Sequence, residues 1–323
     1  MILGFSDSAD MIALFLILGV IFVNGFTDAP NTISGIVSSG IWSLKKACFI
    51  SGIFNLVGVI LFSVMGGKVA KSIFESTDLG EYESHAICAC LIGVIAFSTV
   101  CWMFKMPSSE SHALICCIYG ASCAIHSSSS GGSAIISILI LMLIFCFLSA
   151  LLAIIFSSVF KKNAEECTGF EVIACIVSSL LHGAQDGQKF VALIMMLMLG
   201  KGNSGLFAPI SVYITVGAVM MLGTLMGGGR ILDSLGNDLV QNNERIAFIS
   251  DATSTVSVLV CSLLGIPVST SNIKACSLIG AGYREGAKIN SKTAKKLVGV
   301  SVITFPVCAV AGYILTKLFI LLF

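Results

Sequence analysis

Apolar runs of roughly twenty residues recur along this chain, each long enough to cross the ~30 Å hydrocarbon core of a bilayer. In the first half they lie at 9–24 leading into 28–40, then at 47–67, 85–104, 107–126 and 134–160. After the polar stretch KKNAEE (161–166) come 168–183 leading into 187–200, then 206–227, 245–265, 267–282 and 296–322. Charged residues make up 11% of the chain, against about 25% in soluble domains, and the mean hydropathy is +1.01. The expected fold is an all-α polytopic membrane protein embedded in a lipid bilayer, with about 10 crossings or more counting half-helices. Neither a signal-peptide-like segment nor a soluble domain is expected. A net charge of +1 argues against a nucleic-acid partner. The thirteen cysteines include no C-x-x-C and no Cys/His set at zinc spacing. They read as small hydrophobes in a reducing cell.

Polar motifs interrupt the runs at four places. "NGFTDAPN" (24–31) puts Asn24, Gly25, Asp28, Pro30 and Asn31 at the end of an apolar stretch, and "HGAQDGQK" (182–189) does the same in the second half. Sliding the chain by 158 residues lays Gly25 on Gly183 and Asp28 on Asp186. A shift of 160 lays Pro107 on Pro267 and Gly120 on Gly280, so that "PSSESH" covers "PVSTSN". Two polar motifs in register at nearly one offset divide the chain into an N-terminal transmembrane repeat at 1–160, an inter-repeat loop at 161–166 and a C-terminal repeat at 167–323.

Five crossings per half, with the N-terminus outside, put twelve Lys and Arg inside, among them Lys45, Lys46, Lys105, Lys161, Lys162, Arg230 and Arg245. Lys68, Lys71, Lys201 and Lys317 fall outside, which is the positive-inside pattern. An odd number of crossings inverts the second half relative to the first and leaves both termini outside. Inverted repeats with broken helices in matching places are the mark of a secondary transporter whose site lies near the midplane. Irregular backbone is tolerated at that depth only beside protein or a water-filled cavity, so the four interruptions should converge.

Each interruption has its own chemistry. Carboxylate, amide and unwound carbonyl oxygens suit a hard cation such as Na⁺ or a proton, which nominates Asp28 with Asn24 and Asn31, and Asp186 with Gln185. A helix-capping role for either Asp is the plainer alternative. Ser108, Ser109 and Ser111, and Ser269, Thr270 and Ser271, follow a proline and open an apolar helix. Two such helix starts aimed into a cavity would bind an oxyanion. Lys189 either neutralises Asp186 or touches the anion. Glu110 points away, holds a proton or takes part in proton coupling. His112 faces Asn272 across the repeat as a packing histidine, and His182 positions the second break. The glycines of MGGGR (226–230) and GAG (280–282) read as close packing between helices.

"GFTDAPN", "HGAQDGQK", "PSSESHA" and "PVSTSN" closely resemble the signatures of the PiT family of inorganic phosphate transporters, over nearly the whole chain. The resemblance implies an inverted-repeat symporter of the cell (plasma) membrane, a homodimer, moving inorganic phosphate with Na⁺ or H⁺ and needing no other cofactor. It implies further that Asp28, Asn31, Asp186 and Gln188 sit at the cation and substrate centre, with the hydroxyl runs cradling phosphate. Thr27, Gln185, Glu110 and Asn272 depart from the commonest family pattern, and they bear on the coupling ion. The expected function is import of phosphate by alternating access, with Na⁺ favoured. The competing readings are a sulfate or thiosulfate permease of the same fold, a passive channel, and a membrane-embedded enzyme, for which no nucleophile motif speaks.

Overall fold

The computed structural model describes residues 8–28, 30–77, 79, 82–104, 106, 108–125, 132–160, 164–199, 208–227, 239–241 and 243–322. Pro107, Lys105, Lys161, Lys162, Lys201 and the Gly-Gly-Arg at 228–230 lie outside the described residues. In the first half run α1 (Ser8–Asp28), α2 (Pro30–Ser38), α3 (Leu44–Val64), α4 (Lys68–Ser76), α5 (Glu83–Met103), α6 (Glu110–Ile125) and α7 (Gly132–Val159). The second half has α8 (Ala164–His182), a π turn (Gly183–Gly187), α9 (Gln188–Leu199), α10 (Ile210–Met226), α11 (Glu244–Leu264), α12 (Thr270–Arg284) and α13 (Ser291–Leu322). Apart from the helices there is one isolated bridge among the described residues, between Val240 and Ile289. A helix satisfies its own backbone, which is what a chain of this hydropathy must do in lipid.

Nearly every expected span is a helix within a few residues of its expected ends. Three features differ. The amphipathic α4 was not expected; Gly67, at φ 51°, starts it. Helix α8 begins at Ala164, inside the stretch 161–166 read as loop. The breaks are also tighter than expected. Helix α1 continues through Asn24 and Gly25 to Asp28, α2 resumes at Pro30, and the second break is a π turn rather than unwound chain. Proline is at home in the first turn of a helix, so α2 can restart with little backbone given up.

Six helical stretches among the described residues are long and apolar enough to cross a bilayer: Ser8–Ser38, Leu44–Val64, Glu83–Cys101, Ile135–Val159, Glu244–Leu264 and Ser291–Leu322. Helices α6 and α12 are 16 and 15 residues long, about 24 and 23 Å at 1.5 Å per residue. Both start inside protein: Glu110, Ser111 and His112 of α6 and Thr270, Ser271 and Asn272 of α12 are buried.

The halves pack by exchange. Helix α1 lies along α10, α3 along α8, α6 along α13 and α7 along α12. The contacts come in matched pairs. A Cβ on Gly25 would stand 2.2 Å from the Met220 carbonyl oxygen, and one on Gly183 would stand 2.1 Å from that of Asn55. Likewise Gly120 sits on Ala309 and Gly280 on Ala150, at 1.9 and 2.3 Å. Such contacts let helix backbones approach closely where hydrophobicity offers no drive between them. Each pair runs in parallel. His112 meets Phe305 and Cys117 meets Gly312, while Ser149 bonds Ser277 and Ser157 bonds Glu285.

Candidate functional site

Both interruptions of the first half and both of the second meet in one buried cluster. Asp28, at the end of α1, is 5% exposed and Asp186, in the π turn, is 1% exposed. Asn24 Nδ2 donates to Asp28 Oδ2 at 3.0 Å from one turn back. Asn31 Nδ2 reaches Asp28 Oδ1 at 3.3 Å and Ser271 Oγ at 2.6 Å. Ser271, in the first turn of α12, donates its hydroxyl to Asp28 Oδ1 at 2.8 Å. The first half's carboxylate is therefore held by the second half's helix start.

The exchange is reciprocal. Lys189 pairs with Asp186 Oδ1 and donates to Ser111 Oγ of α6 at 2.5 Å and to the Val268 carbonyl at 2.6 Å. All three of its protons are thus engaged. Of the two roles open to Lys189, the geometry gives it the neutralisation of Asp186. Thr270 Oγ1 donates to Asp186 Oδ2 at 3.2 Å, and His182 Nε2 lies 3.2 Å from the same oxygen. Oxygens of Asp28 and Asp186 and a ring nitrogen of His182 all fall within 4.8 Å of one another, a spacing at which one cation could bridge them.

Glu110 does not point away. Thr27 donates to its Oε1 at 2.8 Å, and it lines a cavity with Asn24, Ser111, Asp186 and Lys189. Three carboxyl groups, those of Asp28, Asp186 and Glu110, thus gather around the single Lys189 ammonium.

Other nominated residues do different work. Ser109 accepts from His112 N–H at 3.1 Å and Ser269 from Asn272 N–H at 3.2 Å, so both are N-caps in matching places. Ser108 stands beside the Cys101 thiol. Gln185 bonds the Ile266 carbonyl and Ser262, and Gln188 accepts from Val69 N–H at 3.0 Å at the start of α4. Neither glutamine contributes those amide atoms to the aspartates. Asn272 Nδ2 lies 3.0 Å from His112 Nδ1, and the His112 ring packs edge-on against Phe305. His112 is thus a packing histidine with one polar partner. Sequence reading missed Asn55, which ties His182 (3.3 Å) to Thr224 (3.1 Å). It also missed the buried Glu171, Asp251 and Lys274. A charged residue inside an apolar run was the available signal for these three.

Broken helices packed between the first and second halves of the chain, converging on buried carboxylates and on two capped helix starts, are the architecture of a membrane transporter. The chain belongs to the phosphate transporter family, whose model matches residues 24–167 and 161–312. It is 32% identical over 307 residues to a probable low-affinity inorganic phosphate transporter of Rhizobium meliloti (strain 1021), covering 89% of this chain and 90% of that one. A protein of the same description from Bacillus subtilis (strain 168) is 29% identical over 324 residues, covering 94% and 97%. The fold matches a solved structure described as the sodium-dependent phosphate transporter, with a TM-score of 0.86 at 15% identity, over 98% of this chain and all of that one. The family is one of transporters, not enzymes.

Proposed function

We propose that this chain imports inorganic phosphate against its gradient by alternating access, driven by a cation, with Na⁺ favoured over H⁺. The observation that carries the reading is the meeting of Asp28, Asp186 and Glu110 with the starts of α6 and α12. Cations enter first, at Asp28 and toward Asp186 Oδ2, and offset the excess negative charge that would repel an anion. Phosphate then docks at the helix starts, where the Ser111 hydroxyl and the first N–H groups of each helix are donors, joined by the Thr270 and Ser271 hydroxyls as the cations displace them from Asp186 and Asp28. Sodium is favoured because the solved structure of the same fold is described as sodium-dependent, and because the amide oxygens of Asn24 and Asn31, whose NH2 groups bond Asp28, are buried without a hydrogen-bond partner and suit a hard cation.

In this reading the two halves are inverted repeats. The support is the parallel packing of α6 on α13 and of α7 on α12, with α6 also packed on α7. The protein lies in the plasma membrane as a homodimer with both termini outside, an orientation supported by Lys45 and Lys46 on the inner side against Lys68 and Lys71 on the outer.

The test is uptake of labelled phosphate into proteoliposomes under an imposed Na⁺ gradient, compared with a pH gradient of equal driving force. Accumulation with Na⁺ alone is expected. Accumulation with the pH gradient alone would move the coupling role to protons at Asp28 and Glu110. Uptake of labelled sulfate in place of phosphate would overturn the substrate.

A further inference from the structure

A second charged cluster lies apart from the aspartate centre. Glu171 of α8 and Asp251 of α11 are each 0% exposed, and Lys274 of α12 is 4% exposed. The Lys274 ammonium pairs with Asp251 Oδ1 and donates to Ser250 Oγ at 3.1 Å. Both Glu171 oxygens and Asp251 Oδ2 lack a hydrogen-bond donor. Two of these orphans face each other over Gly35 of α2. A Cβ on Gly35 would stand 2.3 Å from Glu171 Oε1 and 2.3 Å from Asp251 Oδ2, so the oxygens are at most 4.6 Å apart.

We propose that Glu171 and Asp251 share one proton, forming a proton-binding site separate from the phosphate and cation centre. Ionised carboxylates only accept hydrogen bonds, so two of them facing each other in a buried site repel and leave both oxygens unsatisfied. One proton does two things: it supplies the missing donor, and it balances two carboxylates against the single Lys274 ammonium. A metal cation suits the place less well. Gly35 fills the wedge between the oxygens, and the Lys274 ammonium already holds the other Asp251 oxygen.

Other ionisable groups do not change this balance. Helix α8 adds Cys175, and α3 adds Cys48 in the same apolar cluster. Helix α2 has no ionisable side chain. On α7, which packs on α11 and α12, Cys146 belongs to a different cluster, with Cys261 and Ile273.

The fold does not require charges here. The sequence repeat lays Glu171 on Ala13 at an offset of 158, and Asp251 on Leu91 and Lys274 on Leu114 at 160. Those three positions are buried and apolar, at 0%, 0% and 2% exposure. The charged set is therefore an addition to one half.

It is also connected to the centre. Helix α2 carries both Asn31 and Gly35, one turn apart. Lys274 shares with Asn31, Thr32, His182, Ser254 and Thr270 a cavity of about 20 Å³, room for roughly one water. Loss of the proton would set two carboxylates against each other across α2 and loosen its seat on α8 and α11.

The test is infrared spectroscopy of the purified full-length protein in lipid, without phosphate, across a pH series. The wild-type spectrum minus that of Glu171→Gln should contain a protonated-carboxyl C=O band at neutral pH that vanishes in alkali. Glu110→Gln should leave that band in place. A wild-type-minus-Glu171→Gln difference made only of carboxylate bands at neutral pH would overturn the proposal. So would an acid band of equal size in both proteins. Should Glu171→Gln not yield folded protein, Asp251→Asn makes the same comparison, because Glu171 then ionises against Lys274 and the band is again lost. None of these readings depends on transport, so they stand whichever way the uptake assay falls.

Discussion

Ser271 Oγ lies 2.8 Å from Asp28 Oδ1, although the two residues are 243 positions apart in the chain. This bond joins the break of the first half to a helix start of the second, and Lys189 with Ser111 makes the return connection. Any movement that separates the halves must break both.

Asp28→Asn removes the charge of the least neutralised aspartate in the centre while leaving most of its hydrogen bonds possible. Hydrogen bonds to charged groups are worth about 1.5–3 kcal/mol, which corresponds to about ten- to hundredfold in binding. Phosphate uptake should fall by at least about tenfold while the protein still inserts. Proteoliposome uptake, normalised to folded protein, measures it, and wild-type uptake would remove Asp28 from the cation site.

Lys189→Met leaves Asp186 buried without its ammonium, and breaking one side of a buried pair costs about 3–5 kcal/mol. Adding Asp186→Asn to the same protein should recover part of that loss, since no bare charge remains. Thermal unfolding in detergent of the two single variants and the double variant tests this. Equal losses in the Lys189 single and the double would show that the pair is not what stabilises the turn.

Ser269 and Ser271 are two residues apart but do different work. Ser269→Ala deletes an N-cap and should cost about 1 kcal/mol of stability with little change in affinity for phosphate or cation. Ser271→Ala deletes a hydrogen bond to the Asp28 carboxylate, so it should cost about 1.5–3 kcal/mol and, unlike Ser269→Ala, raise the cation concentration that half-saturates uptake. A thermal shift and a sodium titration on each variant separate the roles; the same profile for both would contradict the assignment.

The matched glycines make a third kind of prediction. Gly120→Ala and Gly280→Ala each push a methyl group onto a carbonyl of the exchanged helix, at 1.9 and 2.3 Å, and should each destabilise by about 1–3 kcal/mol. Gly299 of α13 has open space at its Cβ position, so Gly299→Ala should be neutral or stabilising by about 0.5–1 kcal/mol. Melting temperatures of the three variants in one detergent decide it.

Much of this architecture was legible in the residues. Apolar runs marked nearly every long helix because bilayer thickness sets a length that composition must meet. The polar motifs around Asp28 and Asp186 marked the two helix breaks, and the proline-hydroxyl motifs marked the starts of α6 and α12. Helix α4 escaped because it is short, amphipathic and charged, with no apolar run to announce it. Gln185 was placed at the site by its position beside Asp186, and Gln188 by the family resemblance. A π turn directs neighbouring side chains to different elements, and these two hold the α11–α12 connection and the start of α4.

By itself, the sequence determined that this is a membrane-embedded helical transporter, and which motifs carry polar groups to depth. Those properties follow from composition and period, which are local. Only the tertiary structure decided who meets whom: that Lys189 is spent on Asp186, that Glu110 turns toward the aspartates, and that Glu171, Asp251 and Lys274 come together around Gly35. Partner choice in a buried polar cluster depends on which helices lie side by side, and in this fold those helices come from opposite halves of the chain.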